Sequence, residues 1–250
     1  MKKLSVSILA TVAILLSSCS LDNDDENQGI IPGTEVTSQN LAGNLTTDLR
    51  LTSGIAHNLI GALLVKDGAT LTIDAGTRIN ALAGGTDVYI LVEKGGKIIA
   101  DGTADNPIVF TSNATNPQPG DWGGIIVNGK APLSRQAGSE SNSAAEVNAA
   151  ILYGGAVSED NSGILNYVKI EYTGARIDDE AEHNGLTLNA VGAGTVISNI
   201  AILNGDDDGI EFFGGTVNAT NILVVNAKDD MFDFTQGYVG TCTNLYGVRE

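Results

Sequence analysis

Between Asp178 and Asp233 the chain carries eleven carboxylates and a single cation, Lys228. Their spacing is the informative part. Ser198 to Gly215 reads SNIAILNGDDDGIEFFGG and Thr220 to Gly237 reads TNILVVNAKDDMFDFTQG, two segments that align without a gap at an offset of 22 residues. Asp207 then falls on Asp229 and Glu211 on Asp233. If each segment is one rung of a stack, corresponding residues lie about 5 Å apart, the spacing of neighbouring strands. Two carboxylates at that distance repel by roughly 0.8 kcal/mol in water and roughly 3 kcal/mol at an effective dielectric constant of 20. A bound cation would offset this, and an oxygen-only set without thiolates and with few imidazoles favours Ca²⁺. Asp207, Glu211, Asp229 and Asp233 are therefore the candidate ligands. The competing reading is a hydrated ladder, with one acid of each pair protonated or screened by salt.

The elements that would position these acids are short strands. From about Leu41 onward, apolar residues alternate in bursts separated by Gly, Asn and Asp, with no stretch of helical period. A second repeat, LVKDGATLTIDAGT from Leu64 against LVEKGGKIIADGT from Leu91, recurs at 27 residues with a slip of one. Periods in this range mean solenoids, propellers or arrays. The blade length of a propeller and the fixed Leu/Asn spacing of leucine-rich repeats are missing, which leaves an all-β parallel β-helix with coils of about 22–27 residues. Stacking makes Phe212 and Phe234 an internal aromatic pair. It makes Asn199 over Asn221 and Asn204 over Asn226 amide ladders at turns. On strand parity, inward Ile210, Phe212, Phe232 and Phe234 force Glu211 and Asp233 outward, onto an acidic lateral face.

The N-terminus reads as an address. Lys2 and Lys3 precede an apolar run from Leu4 to Leu16, long enough for a signal-peptide core and short for a membrane span. Leu16-Ser17-Ser18-Cys19 resembles the lipobox of bacterial lipoproteins, which implies cleavage after residue 18 and acylation of Cys19. Residues 19–40, opening with the acidic run Asp22 to Glu26, read as a flexible tether, and residues 41–250 as the β-helix domain. The tether is similar to the acidic segment that directs Bacteroidetes lipoproteins to the cell surface; the alternative is a plain soluble spacer. Cys242 is then the only other cysteine, so the mature chain has no internal disulfide. It is expected to be a buried apolar residue, or to pair with a cysteine beyond Glu250.

Composition closes some function classes. The formal net charge is −17, and removing the first 18 residues takes away two lysines and no acid. Nucleic acid and anionic membrane surfaces need clustered Lys and Arg, so neither is an expected partner.

Together, ADGTADNPIVFTS at Ala100–Ser112, GDWGGIIVNG at Gly120–Gly129 and NGDDDGIEFFGGTVNA at Asn204–Ala219 resemble a family of Bacteroidetes surface lipoproteins. These carry a right-handed parallel β-helix of the pectin-lyase-like kind. The resemblance implies an outer-membrane, lipid-anchored protein facing the cell exterior, with a polysaccharide or an outer-membrane protein as partner. Its leading functional implication is a non-catalytic binding or structural module with a Ca²⁺-binding acidic face. The alternative is a Ca²⁺-dependent polysaccharide lyase or glycoside hydrolase. Asp207-Asp208 after Gly205 is similar to the paired aspartates of polygalacturonase-like glycosidases, and paired carboxylates are what glycoside hydrolysis requires. The Gly-His-Gly setting of those enzymes is absent: His57 sits in Ala-His-Asn and His183 in Glu-His-Asn, which reads as a loop residue. A lyase would need a basic residue beside the acids, and Arg176 is the candidate, against a reading as a surface charge. Trp122, between Asp121 and Gly123, could offer its ring face to a sugar, or else fill a core corner.

Overall fold

The computed structural model describes residues 38–134, 141–178 and 181–250, so the expectations for the signal peptide, Cys19 and the acidic run fall outside the described residues. The first strand, Ser38–Leu45, begins inside the segment assigned to the tether and pairs with Ala56–Val65. Apart from one antiparallel hairpin, every strand pairing in the described residues is parallel, and there is no helix among them. The chain is a right-handed parallel β-helix whose coils present three sheets.

The first sheet stacks Leu49–Leu51, Thr70–Ile73, Lys97–Asp101 and the leading residues of Gly163–Glu171, Val196–Leu203 and Asn218–Val225. The second continues the same long strands after a bend. That bend is a single residue in the left-handed region, Tyr167, Asn199, Asn221 and Asn244 in successive coils. Asn tolerates this conformation better than other non-glycine residues, and its amide can bond to the next rung. Asn221 Nδ2 donates to Asn199 Oδ1 at 2.9 Å, Asn244 Nδ2 to Asn221 Oδ1 at 2.9 Å, and Asn199 Nδ2 to Asn166 Oδ1 at 2.8 Å. The second ladder, Asn226 to Asn204, is longer at 3.4 Å.

The third sheet holds the acids. It stacks the end of Ala56–Val65 with Ile90–Val92, Ile125–Asn128, Leu186–Asn189, Ile210–Phe213 and Phe232–Thr235. Inward residues of all three sheets form one apolar core that runs the length of the solenoid, from Leu41 to Ala227. Phe212 and Phe234 stack with ring centres 5.0 Å apart and planes 10° from parallel, but only Phe212 is buried: Phe234 is 45% exposed, which corrects the expectation of an internal pair.

Coil length is less regular than the repeats suggest. The rungs at Asn128 and Asn189 are neighbours although 61 residues separate them in sequence. Part of that excess is the hairpin Ser143–Ala145/Asn148–Tyr153, which pairs only with itself. It lies over the outer face of the third sheet. Val147 and Ile151 pack against Tyr89, Leu91 and Ile126, while Ala145 and Tyr153 pack against Ala190 and Phe213.

Candidate functional site

One outward column of the third sheet runs Leu64, Leu91, Ile126, Thr187, Glu211, Asp233, each residue in register with the next. Its character changes from apolar through hydroxyl to acid along the stack. The apolar members lie beneath the hairpin, with Leu91 at 0% and Ile126 at 4% exposure, and the acidic members emerge toward the last coil.

Glu211 and Asp233 are paired across the 22-residue offset, as strand parity requires. The expected solvated face is corrected for Glu211, which is only 8% exposed. Its carboxyl lies against the buried Asn184, and the two-residue hairpin turn, Glu146-Val147, is close enough for the Glu146 charge to act on it. The short strand-to-strand turn from Asn204 to Gly209 brings two more acids, Asp207 and Asp208, to the same place, while Asp206 is paired with Lys228. Gly209 permits its tight end, since a Cβ there would meet Val224 Cγ1 at 2.4 Å and Met231 O at 2.8 Å.

The acids form two triads that share Asp208. One carboxylate oxygen from each of Asp207, Asp208 and Asp229 lies within 4.8 Å of the others, and the same holds for Asp208, Glu211 and Asp233. All four residues expected from the sequence are thus present, distributed over two groups. Asp208 is the linking member that strand parity missed, because the turn breaks the alternation before it. Its Oδ1 accepts from Asp230 N at 2.8 Å, a rung-to-rung bond that fixes the carboxyl.

Burial dominates the electrostatics. It pushes Glu211 up to about 9, reinforced by Glu146, Asp208 and Asp233. Asp208 is pushed up to about 7 by burial, against the bond from Asp230 N, with Asp207, Asp233 and Asp229 adding to the rise. Asp207 rises to about 6 through burial and the Glu182 charge. The Glu146 carboxyl also rises, through burial first and then Glu182 and Asp208. Asn184, 3% exposed, donates from Nδ2 to Glu211 Oε2 at 2.6 Å, and its own Oδ1 has no partner. The Nδ2 is thus the atom that faces Glu211 and Thr187, and the Oδ1 on its other side is a buried acceptor without a donor.

Other expected site residues stand elsewhere. Trp122 is fully buried and its Nε1 donates to the Glu171 carbonyl at 2.8 Å, so its ring fills a core corner and offers no face to a sugar. His183 lies in a loop, as expected, and is buried there: it is 2% exposed, packs against the Tyr89 ring and bonds through Nε2 to Thr86 O at 2.8 Å. Burial holds it down to about 4, against the raising effects of that bond and of Asp87, so it stays neutral. Arg176 is exposed and ion-paired with Glu182 at 2.7 Å, and Lys228 is paired with Asp206. Cys242 is a half-buried free thiol, 3.3 Å from the Tyr238 hydroxyl. Asp179 and Glu180 lie outside the described residues.

Fold and site together describe a parallel β-helix with an acid cluster on the outer face of one sheet. Residues 43–250 match the family described as the pectate-lyase like beta helix domain, and the chain belongs to that family. No curated protein matches the chain, and no solved structure does.

Proposed function

We propose that this chain is a non-catalytic, surface-anchored β-helical module whose acid cluster binds Ca²⁺ and through it a glycan or protein partner. The observation that carries the reading is the pair of triads joined at Asp208. All of these donors are oxygens, the ligand type that Ca²⁺ takes in sets of six to eight, and they include more negative charge than the local cations neutralise. Ca²⁺ there supplies the charge that would otherwise come from protons. The anchor is Cys19 in the outer membrane, on the strength of the apolar run and lipobox that precede it.

The test is thermal. A ligand that binds only the folded state, at about a hundred times its dissociation constant, stabilises by roughly 2.7 kcal/mol, which for a domain of this size raises Tm by roughly 5–10 °C. Millimolar Ca²⁺ is expected to produce this rise in the wild type and little of it in Asp208→Asn. That substitution keeps an oxygen for the Asp230 N–H and removes the charge common to both triads. An unchanged wild-type Tm would end the cation reading.

A second reading, a polysaccharide-cleaving enzyme, draws on the contrast between Glu211, protonated at neutral pH, and the more acidic Asp207 nearby. Against it, Arg176 and Lys228 are both engaged with carboxylates, and the Arg249 guanidinium is tied to the carbonyls of Ala227 and Asp229. New reducing ends or unsaturated products from a panel of acidic and neutral glycans, lost on chelation, would favour the enzyme.

A further inference from the structure

The hairpin Ser143–Ala145/Asn148–Tyr153 is attached to the solenoid differently at its two ends. At the base, Gly154 N donates to Gly129 O at 2.9 Å, and Lys94 Nζ donates to Asn142 Oδ1 at 2.8 Å and to Gly154 O at 3.3 Å. The apolar attachment, Ile151 from the body and Val147 from the turn on Leu91 and Ile126, extends to the tip. At the tip, the charged groups that act on Glu146 or are acted on by it are Glu182, Asp207, Asp208 and Glu211, every one a carboxylate. The tip is therefore the place where closure brings like charges together.

The underside of the tip mixes apolar and polar groups. A cavity of about 10 Å³, close to the room one water needs, has Ile126, Ala145 and Val147 on its apolar side and Glu146, Glu182, His183, Thr187 and Asn189 on its polar side. Asn189 is 3% exposed and its Oδ1 has no partner. This buried amide oxygen without a donor leaves an acceptor that a cation's bound water would satisfy.

We propose that a divalent cation clamps the hairpin onto the β-helix. Glu146 closes over an ion held by Asp208, Glu211 and Asp233, and withdrawal of the ion releases the tip and uncovers the apolar column at Leu91 and Ile126. The proposal rests on the cation reading of the acid cluster and adds a regulated surface to it. Because binding and closure are linked, each must strengthen the other by the same factor. An ion that favours the closed hairpin is held more tightly by a chain whose hairpin is already closed. Conversely, a substitution that loosens the hairpin far from the carboxylates must weaken the ion.

Hydrogen exchange of the full chain, read over residues 143–153 with the strand Thr70–Ile73 of the first sheet as internal reference, tests this. Millimolar Ca²⁺ is expected to slow hairpin exchange roughly tenfold relative to chelator. Glu146→Gln should bind Ca²⁺ more weakly by calorimetry and lose most of that slowing. Ile151→Ser, which touches no acid, should speed hairpin exchange and lower Ca²⁺ affinity by a matching factor. Calorimetric Ca²⁺ binding with unchanged hairpin exchange overturns the clamp and leaves the cation site standing; so does an Ile151→Ser hairpin that loosens without loss of affinity. Absence of any Ca²⁺ heat removes the site itself, and the clamp with it.

Discussion

Glu211→Gln is expected to stabilise the metal-free protein at neutral and alkaline pH. The carboxyl has an ordinary value of 4.5 and stands at about 9 when folded, so between those values the folded chain holds a proton that the unfolded chain has released. Raising pH through that window therefore favours unfolding, by up to about 1.4 kcal/mol per unit. The proton's contribution is complete below 4.5 and is lost progressively toward 9. Allowing for solvent at the open side of the cluster, the wild type loses roughly 3 kcal/mol between about pH 5 and about pH 8 from this group. Gln copies the protonated acid in shape and charge and keeps an oxygen for Asn184 Nδ2, the bond made at 2.6 Å in the wild type. In chelator at about pH 8 its Tm should exceed the wild type's by roughly 6–12 °C, with near equality at about pH 5. A shallower slope remains in the variant, because Asp207 and Asp208, at about 6 and about 7, titrate with the same sign. Circular dichroism melts across this range supply the comparison. Parallel pH profiles for the two proteins, or a variant less stable than wild type at about pH 8, would refute the burial argument.

The amide ladder and the membrane anchor yield two further expectations. Asn221→Ala removes bonds to Asn199 and Asn244 and puts a Cβ-bearing residue without a local bond at φ 59°, at a cost of roughly 2–3 kcal/mol in urea unfolding. Asn221→Gly, free of the conformational penalty, should recover part of it; equal loss in both would show that the amide alone matters. Metabolic palmitate labelling in a bacterial host should mark the wild type and spare Cys19→Ala, and an unlabelled wild type would dismiss the lipid anchor.

How far the molecule was legible from its residues depends on whether a feature is carried by spacing or by covering. The gapless 22-residue repeat put Asn199 over Asn221, Phe212 over Phe234 and Glu211 over Asp233, and each pair is found. A stack of coils converts an offset into a contact, so those pairs needed no knowledge of distant chain. The hairpin is the opposite case. It interrupts the count between Asn128 and Asn189, pairs with no strand of the solenoid, and reaches the acid cluster only through tertiary packing. Nothing local marks Glu146 as a neighbour of Glu211. Asp208 fell between the two cases: its pairing with Asp230 follows from the offset, but its direction depends on a turn where parity has no force.

The contrast also explains why the strain is concentrated at Glu211. Every coil of a β-helix must place some residue outward at each position of the column, and water ordinarily makes an acid there cheap. Here the apolar members Leu91 and Ile126 call for a cover, and the hairpin that supplies it does not stop at the apolar boundary. Its turn reaches Thr187, the rung beside Glu211, and brings the Glu146 charge to a carboxyl already buried against Asn184. The hydrophobic gain on one side of Thr187 and the carboxylate desolvation on the other therefore meet at the hairpin turn. A counter-charge at the tip relieves the second without sacrificing the first, whereas lifting the hairpin relieves it only by giving the apolar contact back to water.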